Sequence, residues 1–130
     1  MRLTVAIALV ASSMLGVSAP AKADFLTGNE LFAHCTAPET DPVYFAKRSS
    51  CREYITGVHD GIEATSGVVS YALDRAGDPI RLVCAPPGVT ARQMRDVVVT
   101  YLERHPETRH QSASLIIFGA LGEAFPCPES

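Results

Sequence analysis

The segment between Cys84 and Cys127 constrains the fold most strongly, because it carries two helical stripes joined by a short polar link. Pro106 separates the stripes, since proline lacks an amide donor and disfavours helix at the residue before it. We therefore expect two antiparallel helices of about 15 residues, roughly 22 Å long, which bring Cys127 close to Cys84. The apolar positions recur at helical spacing through Met94, Val97, Val98, Tyr101 and Leu102, then Ala113, Ile116, Ile117, Ala120, Leu121 and Ala124.

Three short sequences have the form of a capping box, in which a Ser or Thr and a Glu or Gln three residues later satisfy each other's free amides. They predict helix starts at Thr27 with Glu30, Ser50 with Glu53, and Thr90 with Gln93. The first helix is expected to end near Cys35. The second is expected to start between Pro42 and Cys51, after a proline-bearing loop.

Beyond Ala64 the helical pattern weakens. Residues 68–73 either extend the second helix or form one more short helix, and 74–79 (DRAGDP) are typical of a turn. Gly57 and Gly61 share one helix face, and their spacing favours close packing against another helix. The stripes predict a core made of Leu31, Tyr54, Ile55, Val58, Val97, Val98, Leu102, Ile116, Ile117 and Leu121.

The N-terminus has the features of a secretory signal peptide. Arg2 is followed by an apolar run over 3–17, which is shorter than the about 20 residues of a membrane span, and A-K-A at 21–23 is a cleavage sequence. We therefore expect residues 1–23 to be removed and 24–130 to form a single, exported helical domain.

Export places the four cysteines in an oxidising compartment, where an even number indicates two disulfides. The hairpin favours Cys84 with Cys127, which leaves Cys35 for Cys51; the other two pairings stay open from the sequence alone. No C-x2-4-C spacing occurs, so a zinc site is not expected.

The remaining composition argues for binding rather than catalysis. Without residues 1–23 the chain has nine basic and fourteen acidic residues and no basic cluster, which disfavours nucleic acid and anionic membranes as partners. The glycine motifs of nucleotide-binding sites and the nucleophile elbow are missing. His59 and Asp60 are adjacent on a helix and diverge by about 100°, which disfavours a catalytic pair. We expect no catalytic residue, no metal and no cofactor.

Five sequences in this order resemble the Rap/Tai-type immunity proteins of bacterial type VI secretion. The resemblance covers 25–127 and is carried by F-L-T-G-N-E-L with a cysteine four positions on, C-R-E-Y-I-T-G-V-H-D-G, C-A-P-P-G-V-T-A-R-Q-M, V-V-V-T-Y-L-E-R-H-P-E and A-L-G-E-A-F-P-C. The shared residues are caps, core residues, glycines and cysteines, so the resemblance concerns the scaffold.

The resemblance implies a non-enzymatic periplasmic protein that binds a cell-wall-degrading effector, typically a peptidoglycan amidase, and blocks it by occlusion. It also implies a homodimer, because members of the family are often dimeric. The corresponding fold is an all-α bundle of four to five helices with two disulfides. Two other functions stay open, a periplasmic stress chaperone (holdase) and an envelope accessory protein with no toxin partner.

The 67–81 segment falls outside the shared sequences and is polar, so it is the candidate partner-binding region. Aromatic and arginine side chains dominate the energetics of many interfaces. The candidate partner-binding residues are Tyr71, Asp74, Arg75, Asp78 and Arg81. The hairpin turn around Glu107 and Arg109 is the alternative location.

Overall fold

In a computed structural model that describes residues 26–128, the chain forms four α-helices and a single 3-10 turn. The helices are α1 (Gly28–Cys35), α2 (Tyr44–Ala72), α3 (Ala91–Arg104) and α4 (Ala113–Ala124), and the 3-10 turn (Pro106–Thr108) lies between α3 and α4. Within 26–128 there is no strand, only an isolated antiparallel bridge between Thr27 and Ser112. The all-α bundle is thus confirmed. The predicted signal peptide, 1–23, lies outside the described residues.

The first and third predicted capping boxes are confirmed at the starts of α1 and α3. Thr27 accepts a hydrogen bond from the Glu30 amide, and the Glu30 carboxylate accepts one from the Thr27 amide at 2.8 Å. The hydrogen bond from the Thr27 amide also lowers the pKa of Glu30, because it stabilises the ionised carboxylate. Thr90 and Gln93 make the same reciprocal pair.

The second predicted capping box is wrong, since α2 begins before Ser50 and runs unbroken for 29 residues. The start signal lies in the preceding turn: the Asp41 carboxylate accepts from the Val43 amide at 2.9 Å, and the Asp41 carbonyl accepts from the Tyr44 amide. This carboxylate also forms an ion pair with Lys47, and the hydrogen bond from the Lys47 side chain lowers the pKa of Asp41. Of the two alternatives for 68–73, extension of the second helix is the one observed.

The core lies between the four helices and follows the predicted stripes closely. Tyr54, Val58 and Val97 are partly buried and pack against this core. Gly57 and Gly61 are corrections: both are exposed, and a Cβ built on either would meet no atom within 4 Å. The buried apolar residues include Leu31, Ile55, Val83, Met94, Val98, Leu102, Ala113, Ile116, Ile117, Ala120 and Leu121.

The start of α1 docks tightly on the segment that joins α3 to α4. The Gly28 amide donates to the Gln111 carbonyl at 2.9 Å, and the Asn29 amide donates to the Arg109 carbonyl at 2.7 Å. A Cβ on Gly28 would lie 2.4 Å from the Ile116 side chain and 2.8 Å from the Arg109 carbonyl oxygen, so the approach requires glycine.

Both predicted disulfides are confirmed. Cys35 bonds to Cys51 and joins the end of α1 to α2, while Cys84 bonds to Cys127 and closes the α3–α4 hairpin. The first bridge is fully buried in the core, whereas both cysteines of the second are only partly buried. The antiparallel hairpin therefore has the geometry that the spacing predicted.

Candidate partner-binding surface

The last turns of α2 carry side chains that no part of the described structure covers. Tyr71, in the final turn, is 89% exposed. Val68 on the same helix and Leu73 just after it are also largely exposed, as is Leu82 at the end of the following loop. This end of α2 therefore offers an aromatic and aliphatic surface without the burial that a core contact would give.

The loop after α2 is held to the helix by the buried Ser70. The Ser70 hydroxyl accepts from the Ile80 amide at 2.8 Å and donates to the Ser66 carbonyl at 2.7 Å. Ser66 in turn donates to the Ile62 carbonyl at 2.9 Å. Ser66 and Ser70 are both buried. The hydrogen bond between Ile80 and Ser70 ties the chain back to the helix ten residues after Ser70.

At its start the loop turns sharply through Asp74, which has a positive φ of 52°. Aspartate is among the few L-residues that adopt this left-handed conformation readily. The turn allows the Arg75 amide to donate to the Ser70 carbonyl at 2.8 Å. The Arg75 side chain then forms an ion pair with Asp78, and its Nε donates to the Asp78 carbonyl at 3.1 Å.

The five candidate residues divide into two groups. Arg75, Asp78 and Arg81 line one cleft of about 520 Å³ that also borders the Cys84–Cys127 disulfide. Tyr71 and Asp74 do not line this cleft. We call all five together the loop surface; it consists of a cleft lined by two arginines and an aspartate, together with the exposed Tyr71 and Asp74 outside the cleft.

The alternative location, the hairpin turn, is occupied largely by structural contacts. The Arg109 guanidinium lies 3.9 Å from the centroid of the Phe32 ring, and its Nε donates to the Leu102 carbonyl at 2.7 Å. The Glu107 carboxylate is within 3.1 Å of His105 Nδ1. The pKa of this carboxyl is lowered mainly by a hydrogen bond from the Glu107 backbone amide, which stabilises the ionised form. The hydrogen bond with His105 is the second contribution.

The histidines do not assemble a catalytic or metal-binding group. His59 Nδ1 lies 3.7 Å from Asp60 Oδ1, so these side chains approach more closely than predicted, but the distance exceeds that of a hydrogen bond. His105 and His110 contact the turn at Glu107. Within 26–128 no three His, Cys, Asp or Glu residues are placed to hold a metal ion.

Sequence reasoning missed the two buried serines of α2, of which Ser70 positions the loop. Ile62, Ser66 and Ser70 follow each other at intervals of four on the inward face of α2. This replacement of apolar residues by serines was the available signal, because a small polar residue on an inward face usually has a hydrogen-bond partner. The apolar contribution of Val68 and Leu73 was also missed.

The fold is that of a small α-helical protein that is cross-linked by two disulfides and has an exposed loop after α2. The profile of the Rap1a immunity proteins matches residues 27–127. The chain belongs to this family, as the resemblance implied. A comparison with curated proteins gives no match.

Membership of the family makes the chain an immunity protein, whose partner is an effector protein. The family is generally non-enzymatic. The two disulfides agree with an oxidising compartment. None of the helices within 26–128 combines the length and apolar character needed to cross a membrane.

Proposed function

We propose that this protein neutralises a cell-wall-degrading effector, a peptidoglycan amidase delivered by type VI secretion, by binding over its active-site cleft. The observation that carries the proposal is the loop surface. Tyr71 projects into solvent, Arg75 and Arg81 line the cleft that follows it in the chain, and Ser70 holds the backbone at Ile80. A rigid projection of this kind loses little conformational entropy on binding, which favours affinity.

The chemistry of the loop surface supports an interface more than a solvated turn. Tyrosine and arginine are the residue types most often found at binding hot spots, where truncation costs about 2 kcal/mol or more. The Arg75 guanidinium is paired with Asp78 and remains partly exposed beside the cleft. Occlusion of the active-site cleft needs no catalytic group on this chain.

The proposed place of action is the periplasm. Residues 1–23 would direct export to it and would then be removed by cleavage. The signal-like N-terminus and the two disulfides support this location. A holdase is the second candidate function, and the exposed Val68, Leu73 and Leu82 are the observation in its favour. A holdase would suppress the aggregation of unrelated unfolded proteins, whereas an immunity protein protects against one effector.

The proposal includes a homodimer, as the family resemblance implies. The start of α2 supports it, because Phe45 is 83% exposed and Val43 is 53% exposed, on a part of the helix far from the loop surface in sequence. Sedimentation of the wild type and of Phe45→Glu tests this arrangement. A wild-type dimer that becomes monomeric in Phe45→Glu supports it, and a wild-type monomer contradicts it.

A protection assay tests the main proposal. Cells that express a cognate cell-wall hydrolase in the periplasm should survive when they also express the wild-type protein. Tyr71→Ala and Arg75→Ala should lose protection, whereas Phe118→Ala, an exposed aromatic on α4, serves as the matched control and should retain it. Full protection by folded Tyr71→Ala and Arg75→Ala variants would exclude the loop surface as the interface.

A further inference from the structure

A second concave surface lies on a different part of the bundle, between α3 and the last turn of α4. This α3–α4 groove has a volume of about 540 Å³ and shares no residue with the loop surface. Along α3 it extends from Gln93 to His105, which is roughly 18 Å at 1.5 Å per residue. That length matches about three turns of a helix laid into the groove.

The groove has an apolar lining that is left incompletely buried. Val89, Val97, Tyr101 and Phe125 all line it, and each is packed on the core yet only half-buried. Ala120, also in the lining, is small and leaves the space open. Apolar area of this kind gains free energy when a further apolar surface covers it.

The charges of the groove differ between its two ends. Glu123 and Asp96 lie toward the end where α3 begins, and Asp96 is paired with its neighbour Arg95. Arg104 lies eight residues beyond Asp96, at the end where α3 finishes. Within the described part of the chain, Glu123 and Arg104 form no ion pair with another side chain, so both are available to a partner.

This polarity matches an α-helix in one orientation. A helix carries partial positive charge at its N-terminus and partial negative charge at its C-terminus. We infer that the α3–α4 groove binds an amphipathic helix of a partner protein, with the N-terminus of that helix at Glu123 and its C-terminus at Arg104. The bound helix runs parallel to α3. This inference does not rest on the proposed function, because it concerns separate residues.

Two synthetic peptides of identical composition test the inference. Both are N-acetylated, C-amidated, fluorescein-labelled 14-residue helices with leucines on one face. The matched peptide has lysines in its first turn and glutamates in its last turn, and the reversed peptide has these charges exchanged. The reversed peptide is intrinsically the better helix, because its charges complement its own dipole. Stronger binding of the matched peptide would therefore come from the groove.

The full chain should bind the matched peptide saturably, at least about threefold more tightly than the reversed peptide in low salt. Arg104→Glu should reduce or invert this preference, whereas Arg92→Glu, an exposed control on α3 outside the groove, should not. Thr100→Arg and Ala124→Arg place bulk at exposed positions that line the groove and should each weaken binding about tenfold.

Three kinds of result would overturn the inference. The first is a failure of the binding test itself, either as binding weaker than about 1 mM for both peptides or as binding that Thr100→Arg and Ala124→Arg leave unchanged in folded protein. The second is binding that appears only after removal of 1–23, which would make this chain's own N-terminal segment the occupant. The third is a wild-type dimer that Thr100→Arg converts to monomer in sedimentation, which would make a second copy the occupant.

Discussion

The two halves of α2 are built differently. The first half faces the core with Cys51 and Ile55, both completely buried, and is tied to α1 by a disulfide. The second half faces inward with Ser66 and Ser70, while Tyr71 and other large side chains point into solvent. One continuous helix thus packs into the core at one end and is followed by the exposed loop surface at the other.

The difference arises from what each half packs against. Apolar burial is non-directional and stabilises the first half in proportion to the area removed from water. In the second half the inward positions are occupied by Ser66 and Ser70, whose hydroxyls bond to the carbonyls of the preceding helical turn. The hydrogen bond from the Ile80 amide to Ser70 specifies where the loop lies. The hydrogen bond from Ile80 to Ser70 can therefore fix the loop while the neighbouring Tyr71 and Leu73 side chains stay exposed.

The largest predicted effect comes from placing a charge in the first half. Ile55→Asp should destabilise the protein by about 4 kcal/mol or more, because it buries an unpaired carboxylate. Val68→Asp makes the same type of change in the second half and should alter stability by less than about 0.5 kcal/mol. Urea unfolding followed by circular dichroism measures both. Equal losses would contradict the division of α2.

Removal of each disulfide should have the next largest effect. The chain-entropy relation predicts about 4 kcal/mol for the Cys84–Cys127 bridge, which spans 43 residues, and about 3 kcal/mol for Cys35–Cys51, which spans 16. Double Cys→Ala variants report these values by chemical denaturation. Because only Cys84–Cys127 borders the cleft, its loss should also weaken effector binding. Unchanged binding in that variant would separate the bridge from the loop surface.

Ser70→Ala should produce a smaller loss of about 1 kcal/mol, the typical contribution of one buried hydrogen bond. It leaves the Ile80 amide without the serine oxygen, so the loop should become more mobile while the first half of α2 is unchanged. Hydrogen exchange provides the measurement: the Ile80 amide should exchange faster in the variant. Ser49→Ala, an exposed position in the first half, is the control. An unchanged rate at Ile80 would contradict the proposed tether.

The smallest effect concerns the cap of α1, which docks beside the first half of α2. Glu30 has a lowered pKa in the folded state, so its contribution is present above about pH 4.5 and is lost as pH falls through the lowered value. Glu30→Gln should therefore melt slightly below the wild type at pH 7, and the two melting temperatures should converge toward pH 3. A difference between the two melting temperatures that increases as the pH falls would contradict this prediction.

The sequence predicted the scaffold better than the surface, and the reasons are physical. Caps and stripes are local signals, which is why Thr27, Thr90 and the α3–α4 hairpin were predicted correctly. Ser50 has the local pattern of a capping box, but α2 begins earlier in the chain, directly after the turn in which the Asp41 carboxylate accepts from the Val43 amide. For Gly57 the spacing identified a shared face, although it could not determine whether that face met another helix.

The candidate sites depend on contacts between distant segments, which a single sequence expresses weakly. The cleft requires the left-handed turn at Asp74 and the bond from Ile80 to Ser70, ten residues apart. The turn composition at 74–79 indicated a loop, but not that Arg75 and Arg81 would line one cleft. The α3–α4 groove depends on the relative placement of two helices, so the stripes alone did not reveal it.

Hydrogen exchange of the protein with and without its bound effector tests the role of the second half of α2 most directly. Binding through the loop surface predicts strong protection of amides from 71 to 82, with little change in the first half of α2 or at the hairpin turn. Protection concentrated at 105–111, with exchange at 71–82 unaltered, would contradict this role and locate the interface at the hairpin turn.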